Sequence, residues 1–558
     1  NNVTYNTVGH CFFLEDGIEH GNQFVHNLAM QTKCHPSKPC VPTNLAAAGE
    51  NPAYDNRQAI RSSGQASKDV LLPSDNTAAS YWITNPDNSY VDNVAAGSDA
   101  NGFWMSLPEH PNGAFADTDI SKATWPRRTP FREFRGNVAH SNYDGFMFDR
   151  NINPNNTFGV TGSAHMPKEN PADPTSRTVE THFDNLTSYK NRNGGIWGRG
   201  EMHVFRNAKM ADNAMDYTHA SGSAGRDPFT SRVVDSLFVG ETENIGNPTT
   251  DAEKAYGRSL PKPMMPDFPI RGYEYYDYRH DVVNDTFVNF QDNATRKTGA
   301  LSYLMYTSAG VSTENSIEGA KFINAKPVYF PPMERRWGND NLNGVAWKAA
   351  AIHDKDGSVG GVPNSYILLN DGVYDSLATD TEACEIKPDW NAAVCKGDVG
   401  RLSFASFGFP RALGAGPGAA PAAAAAGGPG AGVVPITVPP RAPPQPPVVV
   451  SRNGREQTVT STNVRAGTEI KVTTERTSMP LILTEMDKGS WVIFELPGFT
   501  TAASGTEQAS LEALRKASET SYYKGKDALW VKVVSNGDGA SGPRGGGPGG
   551  GTSVLVSR

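Results

Sequence analysis

The chain has 558 residues, of which 37% are hydrophobic and 20% charged, and its formal net charge is -8 at pH 7. A net-negative chain has no general basic face with which to release counterions from a phosphate backbone, which argues against nucleic-acid binding. Mean hydropathy is -0.49, no run nears the length of a membrane span, and the first residues are polar where a signal peptide would be charged and then apolar.

In chain order, residues 1–28 already mix Asn, Gly and alternating apolar positions as a mid-solenoid coil would. A bare solenoid end would expose strand edges, so further protein is expected ahead of Asn1. Residues 33–78 read as a long Pro- and Gly-containing loop, after which the coil pattern resumes at 80–97 and 131–149. The repeat is clearest over 182–217, where Asn185-Leu186 followed by Asn191 recurs as Asn207-Ala208 followed by Asn213, an offset of 22 residues.

A repeat this short suits one coil of a parallel β-helix, which buries its inward side chains only by stacking on neighbouring coils. Asn tolerates left-handed corners and can bond the Asn one coil above. No window within 182–217 carries a helical apolar face, and Gly194-Gly195 would break a helix. Asn185 and Asn207 are therefore expected at one corner of adjacent coils, with further strands near 233–240, 268–277, 285–290, 300–306 and 316–330.

The expected β-helix is 1–408. Residues 409–447 read as an Ala/Gly/Pro-rich linker, and 448–536 as a small β-rich, sandwich-like domain. Its one helix is opened by a capping box of Ser504 and Glu507, and YYKGKDALWVKVV forms a hairpin. The Gly-rich tail, 537–558, is expected to be flexible.

Among the five cysteines, Cys34 with Cys40 and Cys384 with Cys395 are spaced for short-range disulfides, leaving Cys11 as a buried thiol. This favours an oxidising compartment, and the missing CxxC spacing disfavours a metal centre. Glycosylation sequons fall at Asn2, Asn155, Asn185, Asn284 and Asn293.

GHCFFLEDGIEHGN (9–22), LLPSD (71–75), NVAHSNYDGFMFD (137–149), NGGIWGRG (193–200), SLFVGET (236–242), FPIRG (268–272), HDKDGSV (353–359) and PDWNAAVC (388–395) keep the order seen in one family. Together they resemble the cell-surface hyaluronidase and cell migration-inducing hyaluronan-binding protein family, whose architecture fibrocystin-like proteins partly share. The resemblance implies a right-handed parallel β-helix, an extracellular or cell-surface setting, and hyaluronan as the reference ligand. The family's upstream β-rich region, which holds residues implicated in activity, is absent from this sequence.

For a polysaccharide site, Glu15, Asp16 and His20 share one coil, and His140 lies in another. Carboxylates one or two coils apart would approach glycosidase separations, although hydrogen bonding at Gly corners is the preferred reading of these acids. His140, beside apolar residues, reads first as a core histidine. Arg199 and Arg271 are candidates to bind uronate carboxylates bidentately, and Trp197 to stack on a sugar, with core packing the preferred reading of Trp82, Trp104 and Trp197. Asp354 and Asp356 resemble the start of a calcium loop without its later ligands, so a tight turn is preferred and a shared calcium site is the alternative.

Two functions compete. One is a carbohydrate-active extracellular protein that binds, and in its stronger form hydrolyses, a hyaluronan-like polymer. The other is a non-catalytic cell-surface or filament glycoprotein that uses the β-helix as a rigid scaffold for protein partners.

Overall fold

A computed structural model describes residues 1–34, 78–152, 160–162, 165–221, 231–245, 261, 267–277, 279–304, 312–332, 351–372, 375–404, 445–537 and 551–558. Each coil contributes one short strand to each of three sheets. The first sheet runs in nine strands from Val3–Tyr5 to Lys321–Ile323, and the second in eight from His10–Phe13 to Thr298–Tyr303. The third begins at Gln23–Val25 and reaches twelve strands. Its coil-to-coil pairs are parallel through Ala351–Asp354, and an antiparallel ribbon of Ser365–Leu369, Ala392–Lys396 and Cys384–Lys387 then extends it.

The 22-residue offset is the register itself: Thr181 pairs with His203 and Thr187 with Lys209. Asn185 and Asn207 thus hold the same corner, both left-handed at φ 55° and 54°. His26, Asp92, Gly136, Asp235, Asn284 and Gly319 hold it in other coils, each also at positive φ. A sharp bend between two short strands needs one residue in this region, which explains the Asn, Asp and Gly found there.

The corner asparagines supply dihedrals, while other asparagines, buried against the coil interior, supply the stacked amides. Asn142 donates to Asn191 (3.2 Å) and Asn191 to Asn213 (3.0 Å), and the same carbonyls take the backbone N–H of the coil before. A second ladder runs Asn2, Asn27, Asn93, Asn137. Glycine lies against the first ladder for a steric reason: a Cβ on Gly195 would lie 2.5 Å from the Asp216 carbonyl and 2.9 Å from Asn213 Nδ2.

Inside, aromatic rings stack at nearly the coil repeat. Phe12, Tyr81, Phe103 and Phe146 follow one another at 4.7, 4.4 and 4.9 Å between ring centres. Trp82, Trp104 and Trp197 sit on the opposite face of the second sheet, yet are buried with Met147, Met215, Tyr276 and Leu304.

Both expected domain boundaries move. Val399–Ser403, assigned to the β-helix from sequence, pairs with Ser461–Arg465 and Ser478–Thr484 in a five-stranded sheet of the C-terminal module. Thr552–Ser557, expected in a flexible tail, is a strand of that same sheet, paired along Ser478–Thr484. Alternating Val and Leu at 554–556 bury Val554 and Val556 in the module's core, which outweighs the Gly-rich approach. A seven-stranded sheet completes the sandwich.

The module's helix is Leu511–Lys516, capped by Ser510 rather than Ser504, with the Ser510 hydroxyl accepting from Ala513 N. Glu507 belongs to a short strand and bonds Tyr522 and Lys524 instead. Strands Ser521–Lys524 and Ala528–Val534 form the hairpin. Cys384 and Cys395 are joined by a disulfide across the antiparallel ribbon. Cys34 is disulfide-bonded, while Cys40 lies outside the described residues. Cys11 is free but half-buried rather than buried, with its Sγ 3.3 Å from the Thr32 hydroxyl. Sequon residues Asn2, Asn185, Asn284 and Asn293 are exposed, and Asn155 lies outside the described residues.

Candidate functional site

The residues singled out from sequence are spread over all three sheets and the turns between them. Glu15 and Asp16 follow the second-sheet strand His10–Phe13, whereas His140 ends the first-sheet strand Val138–His140. Asp16 anchors a surface insertion, its carbonyl accepting from Asn112 N at 2.9 Å and its carboxylate from Ala114 N at 3.3 Å. His20 is exposed and turns its ring back to the Ile18 carbonyl at 3.0 Å. The His140 ring stacks on Tyr189, and burial, then Lys190, holds its pKa below the usual histidine value.

Trp197 and Arg199 do come together, on buried Asp149: Trp197 Nε1 donates to it at 2.9 Å and Arg199 forms an ion pair with it. Arg199 also donates to the Tyr276 hydroxyl at 3.3 Å. Extending the register from Phe13 through Trp82, Trp104, Met147 and Trp197 sets Glu15 and Arg199 in one column four coils apart. That is about 19 Å at the coil repeat, too far for one sugar linkage.

Arg271 is 1% exposed, with both forks on Glu274 (2.9 and 2.6 Å) and a further bond to the Pro269 carbonyl. Asp354 Oδ2 accepts from Val359 N and Gly360 N, and Asp356 from Gly319 N and Ser358 N, so both close turns.

A different group of side chains lines a cleft of about 360 Å³ where the third sheet's outer face meets the C-terminal module. Arg279, Asp281, His353, Lys355 and Tyr366 come from the β-helix side, and Asp398, Glu485, Asp487 and Lys488 from the module side. The His353 and Tyr366 rings are parallel within 7° at 4.6 Å, and His353 Nε2 bonds Asn364 Oδ1 at 2.7 Å.

Glu485 fastens the two sides by accepting from Thr313 N and Oγ1 at 2.9 and 3.0 Å. Burial raises the Asp398 pKa, partly offset by bonds from Ser490 and the Asp487 backbone. Burial, then Asp398, Asp487, Glu314 and Glu485, pushes the Tyr366 phenol well up. The cleft therefore offers a flat ring surface, a carboxyl inclined to keep its proton, and cations at its edge.

Residues 1–147 match the family described as the CEMIP beta-helix. These coils are similar to that family's β-helix. The chain is also 30% identical over 424 residues to the human cell surface hyaluronidase CEMIP2, covering 72% of this chain and 29% of that protein. It is 28% identical over 440 residues to the human cell migration-inducing and hyaluronan-binding protein, covering 73% and 30%. It is 28% identical over 423 residues to a Danio rerio cell surface hyaluronidase, covering 72% and 28%. The chain spans under a third of the length of each of these relatives.

The cleft was not visible in sequence. His353 lies in the HDKDGSV segment, but Tyr366, Asp398 and Asp487 carry no periodic signal and meet only through the antiparallel ribbon and the module.

Proposed function

We propose that this chain is the polysaccharide-binding part of an extracellular, cell-surface protein, and that its ligand is hyaluronan or a similar uronic-acid polymer. The observation that carries the reading is similarity along nearly three quarters of the chain to proteins named for hyaluronan. The cleft chemistry supports it: a sugar ring stacks on the outer face of His353, which Tyr366 backs from inside, while Lys355 and Lys488 take uronate carboxylates. Hydrolysis, in this reading, uses Asp398 as proton donor to the glycosidic oxygen, because its raised pKa keeps it protonated at higher pH than an ordinary aspartate. This reading gives no part in that step to Glu15, Asp16 and His20, in the segment after His10–Phe13, or to His140, on the first sheet.

Titration of the full chain with sized hyaluronan tests this. Lys355→Ala with Lys488→Ala should weaken binding about tenfold or more, the scale of lost charge-assisted bonds. Asp398→Asn should stop any chain shortening while leaving affinity within about twofold. Equal affinity for a neutral glucan would sink the uronate reading. A chain that neither binds nor shortens hyaluronan would favour the scaffold, for which the stacked Asn ladders are the supporting observation.

A further inference from the structure

Four histidines lie in file inside the β-helix. His165, His203, His219 and His280 are each 3% exposed or less, and successive rings are 5.1 Å apart. Phe131, Phe148, Phe183 and Phe205 wall one end, and Tyr217 and Tyr273 the other.

Their hydrogen bonds suit neutral rings. His165 Nδ1 and His203 Nε2 are 2.9 Å apart, which requires one N–H and one lone pair, so two charged rings there would set N–H against N–H. His165 Nε2 is held by the Thr129 carbonyl (2.7 Å) and His219 Nε2 by the Gly200 carbonyl (3.2 Å). The Tyr217 hydroxyl sits between His219 Nδ1 (3.2 Å) and His280 Nε2 (3.5 Å).

The surrounding charges give protons little help. Arg127 acts against a charge on His165, and Arg199 against one on His219. Asp149 favours one on His219 but is paired with Arg199. Buried Glu201 donates its backbone N–H to the His165 carbonyl, and Asp281 and Asp285 act on the adjoining tyrosines.

We infer that this file of rings is an acid-sensitive device: in mild acid the central coils of the β-helix, around 203–221 and 280–283, open while the C-terminal module stays folded. Burial lowers the histidine pKa to about 4 at His165 and about 3 at His219, and moves His203 and His280 the same way. An unfolded histidine titrates near 6.5, so opening takes up protons. The histidines' contribution to stability is complete above about pH 6.5 and falls with pH below it, by up to tenfold in the folding equilibrium per histidine per pH unit, opposed by Asp216 and Asp285, whose burial-raised pKa values favour the folded state in acid. No histidine follows His353 in the sequence, so the module is an internal control.

Hydrogen exchange on the full chain at pH 7.5 and 5.5, corrected for intrinsic rates, reads the effect. Amides in 203–206, 215–221 and 280–283 should lose protection a hundredfold or more on acidification, and those in 448–534 less than threefold. Equal change in both regions, or none in the first, overturns the inference. Replacing both His203 and His219 with Phe should remove at least half of the acid response on a logarithmic scale, and a folded variant with the full response also overturns it. If that variant does not fold, the wild-type comparison decides alone.

Discussion

The β-helix and the C-terminal module are both built of strands, but they are stabilised by different means. In the solenoid most strands are three to six residues long and each coil is held by the next, so one requirement recurs at one place in every coil. In the module longer strands pair mostly antiparallel, in one case across a large sequence separation, as Ser478–Thr484 does with Thr552–Ser557, and alternate inward and outward. A solenoid error thus acts on the coils on either side of it, whereas a module error acts on strands distant in sequence that share its core.

The largest expected contrast is steric. Gly195→Val places side-chain atoms into the Asp216 carbonyl and the Asn ladder, and should cost more than about 5 kcal/mol or prevent folding. Arg271→Ala strands the buried Glu274 carboxylate and should cost about 3–5 kcal/mol in a urea titration while leaving hyaluronan affinity intact. Cys384→Ser with Cys395→Ser reopens a loop with a sequence separation of 11, and should cost about 2–3 kcal/mol, read as a lower unfolding midpoint. Gly454→Ala, in a module turn with open space and φ of 74°, should cost only about 1 kcal/mol by the same measurement. If Gly195 proved as tolerant as Gly454, the distinction between the two regions would fail.

Much of the solenoid was legible because its determinants are local and repeated. The Asn185 and Asn207 offset gives the register, and Gly beside Asn marks the close approach. The role of each asparagine was less legible, since corner Asn185 and ladder Asn191 look alike in sequence and differ only in which way the side chain turns. The module's limits were hidden because its edge strands enter from either side of a long Ala/Gly/Pro stretch. For the site, single residues such as Arg271 look available by type, but only the fold reveals Glu274 occupying its forks. The cleft needed several distant segments to meet, and no local pattern announces that.

The placement of Val399–Ser403 changes what the Ala/Gly/Pro stretch does. The strands on either side of it, Val399–Ser403 and Val448–Arg452, both end in the same sandwich, with Leu402 and Val448 in one core. Its two ends are therefore returned to one body. A protease that cut the backbone between residues 405 and 444 would leave two fragments still clasped by eight backbone pairings of a shared sheet, migrating as one species until denatured; Val399–Ser403 contributes five pairs with Ser461–Arg465 and three with Ser478–Thr484.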